Sequence, residues 1–201
     1  RMAMTGTTAP TLPWQTKKPT ALLVLADGTV IEGTGVGATG HVVAEVCFNT
    51  ALTGYQEILT DPSYTGQIVT FTFPHIGNVG TNGEDIEDLT PAARHGAVGA
   101  IFKGDITNPS NYRNSEALDA WLKHRGIIAM CNIDTRALTA LIRDKGAPNA
   151  VIAHSPDGVF DVEALKKEAR EWSGLVGLDL AKDVTSGQSS TWTETPWVWD
   201  E

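Results

Sequence analysis

IIAMCNIDTRALTALIRDKG, residues 127–146, sets a strand and a helix back to back. IIAMCNI (127–133), apolar but for Asn132, is a run of strand length. Asp134 follows at the point where an N-cap belongs, with a carboxylate able to accept from first-turn amides. Leu138, Leu141 and Ile142 then recur at helical spacing, and Gly146 supplies the stop. A strand handed directly to an amphipathic helix predicts helices packed against a sheet.

The same alternation extends on both sides. AVGAIF (97–102) reads as a short buried strand, and SEALDAWLKHRG (115–126) as a helix with Leu118, Trp121 and Leu122 on one face and Gly126 at its end. AVIAH (150–154) is another strand, and DVEALKKEAREW (161–172) a helix capped by Asp161. The first half is mainly β. ALLVLADGTVIEGTG (21–35) is two apolar runs joined by Asp27-Gly28, a hairpin signal. HVVAEVCFN (41–49) alternates Val42, Ala44, Val46 and Phe48 against Val43, Glu45, Cys47 and Asn49, and QIVTFTF (67–73) is β-branched and aromatic. Between them GYQEIL (54–59) can form one or two helical turns before Asp61-Pro62 halts them. The expected fold is α/β: a mixed sheet with hairpins in the first half and strand–helix alternation in the second.

Bulk properties exclude several classes. The chain has 201 residues, 41% of them hydrophobic and 19% charged, as a globular protein has. A net charge of −9 argues against a nucleic-acid binder, which needs excess Lys and Arg to neutralise phosphates. No apolar run approaches the length of a membrane span, so no membrane partner is expected. Residues 1–20, rich in Thr and Pro, lack the apolar stretch of a secretory signal and read as a flexible extension, vector-derived residues being one origin for part of it. Cys47 and Cys131 sit in strand-like apolar contexts and read as reduced core thiols of a cytoplasmic protein. The segment 173–201 carries Trp192, Trp197 and Trp199 without helical periodicity, as if packed against something further.

Local chemistry offers few catalytic candidates. Neither cysteine is followed by the glycine of a nucleophile elbow, so a hydrolase built on Cys47 and His75 is a remote alternative. His41, His75, His95, His124 and His154 include no i, i+4 metal pair, and no metal site is expected. His75, entering the loop FPHIGNVG (73–80), reads first as a loop-fixing hydrogen-bonding residue and second as a ligand. GTGVGATG (33–40) lacks the following helix of a dinucleotide site and reads as a turn between strands. Thr60, Asp61 and Ser63 form the ordinary makings of a hydrogen-bonded turn, and Lys166, Lys167 and Arg170 a solvated helix face.

The passage LTGYQEILTDPSYTGQ (52–67) is denser in polar groups than such a turn requires. With LLVLADGT (22–29), FNTALTGYQEILTDPSY (48–64), FPHIGNVG (73–80), IDTRALT (133–139), IRDKGA (142–147) and GLDLAKDVT (177–185), it resembles the carbamoyl-phosphate synthase small subunit. These pieces stand in that family's order across about residues 21–185. The resemblance implies a swivelling β/β/α-type domain over 21–172, with 173–201 as linker and first edge of a class I glutamine amidotransferase domain. It implies that the family's catalytic Cys, His and Glu lie in that second domain, since no Gly-x-Cys-x-Gly elbow or His-x-Glu pair occurs here. Ser63, the serine of the DPSY motif, is the residue it implies for contacting bound glutamine. The expected partners are glutamine, the subunit's own amidotransferase domain and the large subunit, which makes carbamoyl phosphate for pyrimidine and arginine synthesis. No cofactor is expected in this chain; ATP, Mg and bicarbonate belong to the large subunit. The 201-residue chain alone is expected to be catalytically inert. The competing possibility is an independent binding or assembly module with no enzymatic partner.

Overall fold

Ala21–Leu25 (β1) and Val30–Gly37 (β2) form the hairpin anticipated at Asp27-Gly28. Leu25 N donates to Thr29 O (2.9 Å), Thr29 N donates to Asp27 Oδ1 (2.9 Å), and Gly28 takes the positive φ of 91°. The computed structural model describes residues 18–86 and 96–175. His95, the motif at 177–185 and the tail tryptophans lie outside the described residues.

The remaining elements are Gly40–Asn49 (β3), Tyr55–Thr60 (α1), Gln67–Phe71 (β4), Gly99–Ile101 (β5), Leu118–Arg125 (α2), Ile128–Cys131 (β6), Thr135–Lys145 (α3), Asn149–His154 (β7) and Val162–Glu171 (α4). A single 3-10 turn, Pro62–Tyr64, stands between α1 and β4. Strand–helix alternation in the second half is as expected, down to the caps. Asp134 Oδ1 accepts from Ala137 N and Asp161 Oδ1 from Ala164 N, both at 3.0 Å.

The sheet is mixed, and it closes into a barrel in the order β1-β2-β6-β5-β4-β3-β7. Strands β3 to β6 run parallel to one another, and the other pairings are antiparallel. Closure depends on β7, which pairs on one edge with β1 (Ala21↔His154) and on the other with β3 (Gly40↔His154). Because strand side chains alternate, each strand feeds two cores. Leu23, Leu25, Val46, Ile68, Met130 and Ile152 share one cluster with Leu138 and Ile142 of α3. The other face of β4, β5 and β6 supplies Val69, Phe71, Phe102 and Ala129 to a cluster with α1 (Tyr55, Leu59) and α2 (Leu118, Trp121, Leu122). Leu165 and Ala169 of α4 cover Leu22, Val24, Val151 and Ala153. With both faces covered, β1 is buried at every residue, as a near-continuous apolar strand requires.

One local expectation changes. Gly33, Gly35 and Gly37 belong to β2 rather than to a turn; the turn is 38–39. At Gly35 the reason is close approach: a Cβ there would stand 2.5 Å from His154 Nε2 and 2.6 Å from Cγ. The imidazole lies over the bare backbone and donates through Nδ1–H to Ala38 O (2.9 Å). Gly37 adopts φ 72° and passes close to Ile127 O, which a Cβ would approach to 2.5 Å.

Candidate functional site

The polar passage at 52–67 wraps the amino-terminal approach to β4, and Tyr55, Gln56, Leu59 and Thr60 are its buried residues. Tyr55 OH donates to Gly80 O, and burial pushes its phenol well above the usual tyrosine range. Gln56, 3% exposed, grips Asn82 on both sides: its Nε2 donates to Asn82 O, and Asn82 N donates to its Oε1 (3.0 Å). This copies a β-bridge with a side chain and satisfies groups that burial would otherwise penalise. Thr60 Oγ1 turns back to Gln56 O (2.9 Å), and Asn49 Nδ2 donates to Tyr64 OH (2.9 Å). The passage is thus mainly a clasp between α1, the DPSY turn and the loop 76–82.

Ser63, by contrast, faces outward. Its backbone is fixed, because Ser63 N donates to Asp61 Oδ1 (2.7 Å) in the turn anticipated for Thr60, Asp61 and Ser63. Its side chain is exposed, and among the described residues nothing hydrogen-bonds its hydroxyl. A polar cleft of about 210 Å³ lies nearby, bounded by Gln56, Glu57, Asn82, Asp85 and Arg113, but Ser63 does not line it. Arg113 is clamped there by Asp85 (2.7 Å) and Glu84 (3.0 Å).

His75 is exposed, and its ring stands edge-on to Phe73 at 6.0 Å. Among the described residues it makes no hydrogen bond, so packing rather than a polar contact holds it. With Leu52, Tyr55, Phe71, Phe73 and Val79 it lines an apolar cavity of about 130 Å³. Sequence reasoning singled out only the histidine; the walls come from separate segments that only the fold assembles. His41 pairs with Glu168 (3.2 Å), and His124 with Glu116 (2.7 Å). Lys166 and Lys167 pair within their own helix with Glu163 and Glu171.

The thiols lie in strands, as read. Cys47 is half-buried in β3 and Cys131 is 1% exposed at the end of β6. Burial, with Glu45 adding its charge, pushes the Cys47 thiol up to about 11. Burial, with Asp105 beside it, pushes Cys131 up to about 12; its Sγ donates to Asp105 Oδ1 (3.6 Å). Thiolate is the reactive form. Native alkylation by iodoacetamide at pH 8 should therefore run at least ~100-fold slower than in denaturant, where thiols ionise near ~8.5. Comparable rates would contradict the burial. The linkage has a definite sign: the folded chain keeps these protons longer than the unfolded one. Their contribution to stability is complete below pH ~8.5 and is lost as pH rises toward the folded values.

A family model described as carbamoyl-phosphate synthase small chain, CPSase domain, matches residues 23–152. The chain belongs to that family. The carbamoyl phosphate synthase small chain of Agrobacterium fabrum (strain C58 / ATCC 33970) is 80% identical over 191 residues, covering 95% of this chain and 48% of that protein. That of Mesorhizobium japonicum is 80% identical over 188 residues, covering 94% and 47%. The chain spans about half the length of these curated relatives. Among solved structures, an aminopeptidase from Aneurinibacillus sp. strain AM-1 aligns with a TM-score of 0.35 at 14% identity, over 69% of this chain and 31% of that one, too weakly to bear on function. The carbamoyl-phosphate synthase small-chain match takes in nearly all of the barrel, the clasp and Ser63, while the ends of β1 and β7 and all of α4 lie beyond it. None of the helices among the described residues is long and apolar enough to cross a membrane.

Proposed function

We propose that this chain serves as the amino-terminal part of a glutamine-hydrolysing carbamoyl-phosphate synthase small subunit. In this role residues 21–172 are its β/β/α domain, 1–20 an extension, and 173–201 the passage into the amidotransferase domain. The domain offers a docking face and one hydroxyl, that of Ser63, to glutamine bound next door. The nucleophilic Cys with its His and Glu belongs to that neighbouring domain. Ammonia released there travels to the large subunit, which uses ATP, Mg and bicarbonate in the cytoplasm. The observation that carries the role is the contrast within one short passage. Tyr55, Gln56, Thr60 and Tyr64 are consumed by internal bonds, while the Ser63 backbone is fixed by Asp61 and, among the described residues, nothing hydrogen-bonds its hydroxyl. A preorganised, unpartnered donor is what a substrate contact across a domain boundary needs.

The test is Ser63→Ala in the full-length subunit assembled with its large partner. Loss of one substrate hydrogen bond should lower glutamine-dependent kcat/KM by about tenfold, ~1.4 kcal/mol. Ammonia-dependent synthesis should stay unchanged. Equal loss of both activities would assign Ser63 to structure instead. The chain by itself should not hydrolyse glutamine, and turnover by the isolated chain would defeat the division of labour proposed.

A further inference from the structure

We propose that the carboxyl edge of the parallel strands holds a second site, one that binds a phosphoryl group or a similar doubly charged oxyanion between Lys103, Arg136 and Arg143. Four observations lead to it. The first is position. Thr72 follows β4 directly, Lys103 comes just after β5, and Thr135 and Arg136 open α3 just after β6. These are the adjacent parallel strands of the barrel, so residues far apart in sequence converge on one rim. In α/β proteins the crevice at the carboxyl ends of parallel strands, beside the amino end of a following helix, is where anionic ligands bind.

The second observation is the cavity itself. It encloses about 420 Å³ and is lined by Thr72, Lys103, Thr135, Arg136, Thr139 and Arg143, with no carboxylate among the lining residues. The third is charge. The chain carries −9 overall, yet three cations gather here. Among the described residues Lys103 and Arg136 pair with no acid, and Arg143 meets only Asp144, at 3.7 Å and on the solvent side. The fourth is a hydroxyl without a partner. Thr135 lines the cavity, and among the described residues nothing hydrogen-bonds its Oγ1, which leaves that hydroxyl available to a bound oxyanion. Asp134, the one carboxylate at the helix start, is committed to Ala137 N, which leaves the Arg136 amide open. Guanidinium forks, an ammonium, a hydroxyl and a first-turn amide are all donors, and together they suit an oxyanion with several acceptor oxygens. Ser63 precedes β4 whereas Thr72 follows it, so the two sites are separated by the strand's length, about 17 Å.

Inorganic phosphate is the probe. In an amide-resolved NMR titration of the whole chain at fixed ionic strength, the Arg136 and Lys103 signals should move saturably with phosphate and not with chloride. Arg136→Gln combined with Arg143→Gln should weaken phosphate binding more than tenfold, and Thr135→Val severalfold. Lys166→Gln with Lys167→Gln should change nothing. Should the double arginine variant fold poorly, Lys103→Gln, outside α3, carries the same expectation. Non-saturating shifts, equal response to chloride, or undiminished binding in a folded variant would overturn the site. So would indifference to phosphate together with protection of Arg136 only by an acidic macromolecular partner.

Discussion

Gly35→Ala is expected to destabilise the barrel by about 3 kcal/mol or more. The new methyl would stand 2.5 Å from His154 Nε2, with the rest of the imidazole as close. The ring cannot yield outward without giving up its bond to Ala38 O, and it is 9% exposed, so there is little room. Overpacking typically costs about 1–3 kcal/mol, and a buried hydrogen bond broken with its acceptor stranded adds about 1–3 kcal/mol. For a domain of this size each kcal/mol lowers the melting temperature by roughly 2–4 °C. A calorimetric midpoint should therefore fall by about 6–12 °C or more. Removing the ring should relieve the clash, so Gly35→Ala with His154→Ala should be less damaging than the sum of the singles by at least ~1 kcal/mol. A Gly35→Ala protein melting within a degree of the parent would show that the imidazole does not rest on this strand.

The other large effect belongs to Phe102. It is 1% exposed, its ring lies 5.5 Å from that of Phe71, and it packs in the cluster shared with α1 and α2. Its backbone is equally committed: Phe102 N donates to Met130 O (2.8 Å) and its carbonyl accepts from Ile133 N (3.4 Å). Phe102→Ala should cost about 3–5 kcal/mol, a large share of the roughly 5–15 kcal/mol that holds a domain together. Urea unfolding should show a lower midpoint with an unchanged slope, the mark of lost stability without a changed unfolding reaction. Phe102→Leu should lose less than half as much, because leucine refills most of the volume. A loss below ~1 kcal/mol in Phe102→Ala would mean that the barrel's outer core is not packed as described.

The elements themselves were legible because their signals are local. Asp134 and Asp161 cap helices wherever the chain goes next, Gly126 and Gly146 end them, and Pro62 stops α1 by its own geometry. Alternation along β3 correctly divided Val46 from Cys47 between two cores. Closure of the sheet was not legible, because it depends on β7 pairing along both edges, and no residue of AVIAH announces a second neighbour. The glycines of 33–37 misled for a related reason. Their cause is close approach by other segments, His154 at Gly35 and Ile127 O at Gly37, whereas a loop is the commoner reason for such a cluster. Ser63 could be named from resemblance but not from its chemistry, since only the structure shows that its polar neighbours are occupied. The basic rim was hidden altogether. Lys103, Arg136 and Arg143 are ordinary surface residues until parallel pairing of β5 with β6 brings their loops together.

The closed circuit of strands also governs how this domain can be approached. Within the described residues each strand already has a neighbour on either side, so no strand stands as a free edge along its whole length for a visiting peptide to extend. Assembly is therefore written mainly in side chains, at the rims and on the helices, where a single substitution can retune it without disturbing the wall behind.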